Sequence, residues 1–243
     1  MTTLFISDLH LDASRPQITA QFLEFLEREA RSASALYILG DLFEIWIGDD
    51  DPDPDKRRVT AALRELTEAG VPCRFIHGNR DFLIGARFAA TTGVELLPDG
   101  TVVDVEGQKV LLMHGDVLCT DDRSYQRLRR IVRNSLVQWL FRRLPLGRRQ
   151  ALANRIRVGS REHTTATPAA IMDVNDSAVR TAFESAGVDF LVHGHTHRPA
   201  VHEHLTSTGT ATRIVLGDWY EQGSVLRWRG TDYALERLAT PPG

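Results

Sequence analysis

The sequence predicts an α/β fold, and three observations point to it. Short, nearly continuous apolar runs recur along the chain, helical patterns lie between them, and five of the runs end in residues able to bind a metal. Runs of this kind read as strands buried on both faces and covered by helices. Helices alternating with such strands build an α/β architecture, in which ligands gather at the carboxyl ends of the strands.

Taken in order, Leu4-Phe5-Ile6 leads into Ser7-Asp8-Leu9-His10. A helical pattern follows from Ile18 to Ala30, with Phe22, Leu23, Phe25 and Leu26 near helical spacing. The second run, Ala35 to Leu39, leads into Gly40-Asp41. The acidic stretch from Asp49 to Asp55 reads as a surface loop. A second helix spans Arg57 to Ala69 and is closed by Gly70. Cys73-Arg74-Phe75-Ile76 leads into His77-Gly78-Asn79-Arg80-Asp81, and Val110-Leu111-Leu112-Met113 into His114-Gly115-Asp116. Phe190-Leu191-Val192 leads into His193-Gly194-His195-Thr196-His197. From Gly187 to about Leu238 the segments shorten and alternate, as in Thr212 to Leu216 and Ser224 to Trp228, which predicts a second, more antiparallel sheet. One domain is expected over residues 1–243, with an insertion over about 122–168.

The composition, 42% apolar and 25% charged, is that of a soluble globular protein. The N-terminus shows no basic segment and apolar core of a secretory signal, and no run approaches the roughly 20 apolar residues that span a bilayer. Cys73 and Cys119 stand alone, which argues against a disulfide framework or a thiolate zinc site. A cytoplasmic protein is therefore expected. The net charge of −3 conceals an asymmetry: Arg123 to Arg161 holds twelve arginines and no Asp or Glu. A one-signed segment usually faces something anionic.

One Asp or His at a strand end says little, because a lone His is usually a satisfied core or surface residue. Here Asp8, His10, Asp41, Asn79, His114, His195 and His197 stand at five successive strand ends. On an extended segment residues two apart point the same way, so Asp8 and His10 are expected to grip one ion, and His195 and His197 share that spacing. A set of carboxylate, amide and imidazole without thiolate favours Mn²⁺, Fe²⁺ or a non-structural zinc.

The motifs D-x-H, G-D, G-N-x-D, H-G-D and G-H-T-H, in this order, resemble the calcineurin-like metallophosphoesterases. The resemblance implies a double β-sheet sandwich flanked by helices and two divalent ions, most readily Mn²⁺. It assigns Asp8, His10, Asp41 and His197 to one ion and Asp41, Asn79, His114 and His195 to the other, with Asp41 bridging. Two ions about 3.5–4 Å apart acidify a water and draw charge from the phosphoryl oxygens. The resemblance implies catalytic roles at Asp41, Asn79 and His114 and at the position held here by Arg80.

The third motif departs from the usual Gly-Asn-His of that family, because Arg80 stands where the His would assist the leaving group. Arginine stays protonated and cannot give up a proton as an acid at neutral pH, but it can clamp a phosphate by donating two hydrogen bonds. A leaving phosphate is a weak base, its second pKa being near 6, and needs no acid. Arg80 thus suits cleavage of a pyrophosphate. Together with Asp41-Leu42-Phe43-Glu44, Ile171 to Asn175, Gly194 to Pro199 and Val215 to Trp219, it resembles the branch of UDP-2,3-diacylglucosamine pyrophosphohydrolases of lipid A biosynthesis. That branch implies release of UMP and 2,3-diacylglucosamine 1-phosphate, with substrate contacts at Asn79, Arg80, Asp122, Tyr125, Arg157, Ser160 and His195. Where it carries Asn and Lys, this chain has Thr164 and Thr167. A generic phosphodiesterase acting on a soluble substrate is the alternative, and a binding protein on a degenerate fold would have lost ligands that are all kept here.

The arginine-rich insertion carries Leu128, Ile131, Val132, Leu136, Leu140 and Phe141 near helical spacing, with Arg127, Arg130, Arg133, Arg142 and Arg143 between them. A solvated helix packed on the core would explain the apolar stripe but not the single sign of charge. A lid that receives acyl chains and rests on anionic lipid explains both, placing the protein peripherally on the cytoplasmic face of the inner membrane. Only Tyr125, Trp139 and Phe141 interleave with the arginines, which argues against a nucleic-acid partner. No obligate protein partner is expected.

Overall fold

The computed structural model describes residues 2–166, 168, 171–207, 209–220 and 223–238, and of residues 161–166 the backbone only. The side chain of Thr164 and all of Thr167 lie outside the described residues.

Four strands, β1 (Thr3–Ile6), β2 (Ala35–Ile38), β3 (Cys73–Ile76) and β4 (Glu95–Leu97), run parallel side by side. A second sheet contains β5 (Thr101–Val105), β6 (Gln108–Leu112), β7 (Phe190–His193), β8 (Ala200–Thr206) and β9 (Gly209–Val215), in the order β5-β6-β7-β9-β8. Its central pairs β6/β7 and β7/β9 are parallel and its edges antiparallel. The last two strands, β10 (Gly223–Arg229) and β11 (Asp232–Leu238), return to the first sheet, where β10 pairs antiparallel with β1 through Leu4 and Arg227. The expected second sheet is corrected on two counts. It starts as early as Thr101, and Ser224 to Trp228 belongs to the first sheet.

The two sheets pack face to face, and helices cover only their outer faces. Leu4 and Ile6 of β1 point into a cluster with Phe22, Phe25 and Leu26 of α1 (Pro16–Arg28) and Val59, Leu63 and Leu66 of α2 (Pro54–Glu68), whereas Phe5 points the other way. Phe5 joins Tyr37, Leu39, Val110, Leu112, Val192, Ile214 and Trp228 between the sheets. Because both sides of a strand meet apolar groups, the apolar runs are continuous instead of alternating. The short helix α3 (Ala86–Thr92) also covers the first sheet through Phe88. On the far side, Leu111, Met113 and Leu191 pack on Val179 and Phe183 of a helix between residues 176 and 186.

The acidic stretch is not merely a surface loop. Asp53 caps α2 by accepting from the amides of Asp55 and Lys56, ahead of Pro54 at the first helical position. The Asp49 carboxylate accepts from Trp46 Nε1 and from the amides of Gly85, Arg87 and Phe88 at the start of α3. Asp51 pairs with Lys56 at 2.6 Å and Asp50 with Arg149.

The insertion folds as three helices, α4 (Arg123–Val132), α5 (Ser135–Arg143) and α6 (Leu146–Ala166), before α7 (Asp176–Ala186). The continuous helical pattern breaks at Asn134, whose side chain accepts from the amides of Leu136 and Val137 and starts α5. No residue of α4 or α5 is fully buried.

Candidate metal centre and its surroundings

Beyond the strands, the backbone itself builds the site. The amide of Asp8 donates to Gly40 O (3.1 Å), that of His10 to Asp41 O (2.9 Å) and that of Gly194 to His114 O (2.9 Å), which ties the loops after β1 and β2, and those after β6 and β7, side by side. Asp8, His10, Asp41, His195 and His197 all have left-handed backbones, with φ of 56°, 49°, 52°, 69° and 55°. The extended D-x-H geometry is thereby corrected. Asp8, His10, Asp41, His195 and His197 converge because the chain turns at each of them, not because alternate residues of a strand share a face. A non-glycine residue in this region costs about 1–3 kcal/mol, and Asp and His are among the side chains found there most often.

Two glycines permit the close approach of backbone to carboxylate. A Cβ on Gly78 would lie 2.1 Å from Asp41 Oδ1, and one on Gly194 would lie 2.2 Å from Asp8 Oδ2. With glycine in place, Asp41 Oδ1 accepts from the Arg80 amide (2.8 Å), while Asp8 Oδ2 accepts from the His195 amide (2.9 Å) and Ser7 Oγ (2.6 Å). Each carboxylate is held by one oxygen, and the other faces inward.

All seven side chains meet there. Asp8 Oδ1 lies 3.3 Å from His197 Nε2, which lies 3.3 Å from His10 Nε2. Asn79 Oδ1 lies 2.9 Å from His114 Nε2 and 3.0 Å from His195 Nδ1. Asp41 Oδ2 stands between the groups, 3.7 Å from His10 Nε2 and 3.8 Å from His114 Nε2. Ligand atoms of Asp8, His10 and His197, and likewise those of Asp8, Asp41 and His114, lie within 4.8 Å of one another.

Groups behind the rings fix which nitrogen faces inward. His114 Nδ1 donates to Leu39 O (2.9 Å), His10 Nδ1 faces Glu44 Oε2 (3.0 Å), and His197 Nδ1 faces Asp218 Oδ2 (3.3 Å). Carbonyls and carboxylates only accept, so the N–H stays on that side and the Nε2 lone pair turns toward the site. For neutral His114 this sets a lone pair against Asn79 Oδ1, itself an acceptor. Buried Asp8 Oδ1 accepts no hydrogen bond among the described residues. An added cation satisfies both atoms, so the donor set fits divalent metal.

The field points the same way. Burial opposes charge on His114 and His197, yet the carboxylates of Asp41, Asp8 and Asp116 push His114 up to about 9, and those of Asp8 and Asp218 push His197 up to about 10. Burial also works against ionised Asp8, but His197, His114 and His10 hold it far below the usual carboxylate range. Burial and the His114 charge lower His195 to about 4. A field that holds protons on buried imidazoles attracts divalent cations as well. Glu44, Asp116 and Asp218 were visible in the motifs, but spacing alone assigned them no role.

The other residues expected around a substrate lie on the loop after β3 and on the insertion helices. Arg80 is half-buried, with no partner for its Nε among the described residues. Tyr125 donates to Asp116 Oδ2 (3.0 Å), its ring 5.8 Å from that of His195. Asp122 Oδ1 accepts from the Tyr125 amide and Ser124 Oγ, so it caps α4 and positions Tyr125. Arg157 lies 3.7 Å from Asp12 and 3.8 Å from Glu44, and Ser160 is half-buried further along α6.

The arginine-rich segment does not face outward as a whole. Arg129 binds Asp116 (2.7 Å) and Asp99 (3.2 Å), Arg133 donates to Gly78 O (2.8 Å), and buried Arg149 donates to Ile47 O (2.8 Å) and pairs with Asp50. With Arg157, these turn toward the acidic body of the chain itself. Arg123, Arg127, Arg130, Arg142, Arg143, Arg148 and Arg155 are exposed.

A UDP-2,3-diacylglucosamine hydrolase of Escherichia coli O81 (strain ED1a) is 54% identical over 235 residues, covering 97% of this chain and 98% of that protein. The protein of the same name from Serratia proteamaculans (strain 568) is 55% identical over 227 residues, covering 93% and 95%. A solved structure described as a novel archaeal phosphodiesterase superposes with a TM-score of 0.50 at 14% identity, covering 98% of this chain and all of that one, and so shares the fold. Residues 1–199 match the calcineurin-like phosphoesterases, and the chain belongs to that family.

Proposed function

We propose that this metal-dependent hydrolase cleaves the pyrophosphate of UDP-2,3-diacylglucosamine, a step of lipid A biosynthesis, releasing UMP and 2,3-diacylglucosamine 1-phosphate. The observation that carries the reading is 54% identity over nearly the whole of both chains to a protein named for that substrate.

Asp8, His10, Asp41 and His197 would hold one ion and Asp41, Asn79, His114 and His195 the other, with Mn²⁺ in both. Bound there, the ions would supply an acidified water and charge withdrawal from the phosphoryl oxygens. Arg80 orients the phosphoryl groups through its guanidinium and is not asked for a proton, because the departing sugar phosphate is a weak base. Asp122 presents Tyr125, and Tyr125, Arg157, Ser160, Asn79 and His195 contact the substrate.

Residues 122–168 act as a lid. Leu136, Trp139 and Leu140 are 62%, 49% and 53% exposed, beside the outward arginines. An apolar stripe with a basic flank suits acyl chains and an anionic lipid surface, on the cytoplasmic face of the inner membrane. Among the described residues no helix is long and apolar enough to cross a membrane.

The test is incubation with UDP-2,3-diacylglucosamine and Mn²⁺, beside diadenosine polyphosphates and cyclic nucleotides. UMP release from the lipid nucleotide in preference to the soluble substrates is expected. Faster turnover of the soluble set would overturn the reading.

A further inference from the structure

We propose that the cavity beside His10, lined by Asp12, Ser14, Arg15, Glu44, Arg157 and Tyr220, receives the nucleoside half of the substrate; this rests on the proposed function. Its volume is about 360 Å³. Two of its walls are shared with the metal centre. Glu44 faces His10 Nδ1 at 3.0 Å, and the Tyr220 ring lies flat against His10, with centroids 5.2 Å apart and planes 8° apart, and 5.4 Å from the His197 ring. The cavity therefore opens on the Asp8, His10 and His197 side. The opposite side, at His114 and His195, lies under Tyr125 and α4. A substrate attacked at a phosphorus between the two sides directs its halves to different neighbours.

The linings decide which half goes where. The cavity holds two guanidinium groups, two carboxylates, a hydroxyl and a phenol, with no aliphatic residue. Acyl chains there would strip water from these groups without replacing their hydrogen bonds, which is costly. Exposed apolar side chains lie instead outside it, along the insertion helices α4, α5 and α6. Uracil presents two carbonyl acceptors and one N–H, and ribose presents hydroxyls that donate and accept. The cavity carries the complementary mixture. Asp12 Oδ1 is taken by the amide and hydroxyl of Ser14 (2.9 and 2.6 Å), whereas Oδ2 has Arg157 only at 3.7 Å, beyond hydrogen-bond range. Arg15 is tied to His10 O (2.7 Å) and lies 4.5 Å from the Tyr220 ring centroid, so one cation is fixed at the mouth while Arg157 can adjust.

The test uses UMP as a product inhibitor, with inorganic phosphate as the control for binding at the metals alone. Asp12→Ala removes the available acceptor, and Ser14→Leu, at an exposed loop position, fills the cavity without disturbing the core. Each is expected to raise the UMP inhibition constant about tenfold or more, Asp12→Ala through the loss of a hydrogen bond to a charged group and Ser14→Leu by occupying the space, with phosphate inhibition and metal content at wild-type values. Unchanged UMP inhibition in both variants, with wild-type protein still converting the lipid nucleotide, overturns the nucleoside pocket and leaves the proposed function standing. If the wild type fails to convert that substrate, the functional reading falls, and calorimetry decides the pocket separately. UMP binding that both variants weaken keeps it, and absence of UMP binding to the wild type removes it.

Discussion

The strand-end centre and the arginine-rich insertion both concentrate charge, but they hold it differently. At the strand ends the inward carboxylates are gripped through one oxygen by backbone amides, and His10, His114 and His197 are oriented by an acceptor behind each ring. In the insertion, charge sits on long side chains whose destinations diverge. Arg129, Arg133, Arg149 and Arg157 reach back to the core, and seven others stay in water. Charge fixed by backbone acts at one point in space, whereas charge on a solvated helix acts on a surface and is screened.

The largest effect that can break this contrast is expected at Asp41, whose Oδ2 stands between the two groups of ligands. Asp41→Ala should lower kcat by more than about a thousandfold, since several kcal/mol of charge stabilisation depend on the ions. Elemental analysis should find less than the wild-type metal content, and circular dichroism an intact fold. Next comes Gly78→Ala, where the new Cβ meets Asp41 Oδ1 at 2.1 Å and must displace it. A loss of about 1–3 kcal/mol in stability, read by thermal melting, should accompany loss of metal. The same change at Gly147 of α6, which a Cβ would leave free of contact, should cost neither.

How the ligands are oriented can be sharpened by Glu44→Gln and Asp218→Asn. Each keeps the shape of the side chain and removes the charge behind His10 or His197, so metal affinity should fall about 10–100-fold in a direct titration. Smallest is the outward surface. Replacing Arg142 and Arg143 by Gln should weaken binding to anionic vesicles by about 1 kcal/mol per charge and leave the melting temperature unchanged.

The metal-ligand candidates were legible because a strand buried on both faces is apolar throughout, so an Asp or His at its end stands out. The left-handed backbones of five of them were not, since spacing carries no sign of φ, and D-x-H reads equally well as a strand. Glu44 and Asp218 escaped for a related reason: an acceptor behind an imidazole is set by folding, and Asp218 is brought to His197 only when the chain returns from β9 to β10. That return also hid the sheet membership of β10, because a strand's own residues do not name its partner. In the insertion the sequence shows the sign of charge but not its direction, which depends on where Asp50, Asp99 and Asp116 lie in space.

We propose that these side chains hold two cations sharing the Asp41 carboxylate. Titrating metal-free protein with Mn²⁺ while recording electron paramagnetic resonance tests it most directly. Two equivalents bound, with the spectrum of a spin-coupled pair that Asp41→Ala abolishes, is the predicted result. A single equivalent, or two that remain magnetically independent, would contradict it.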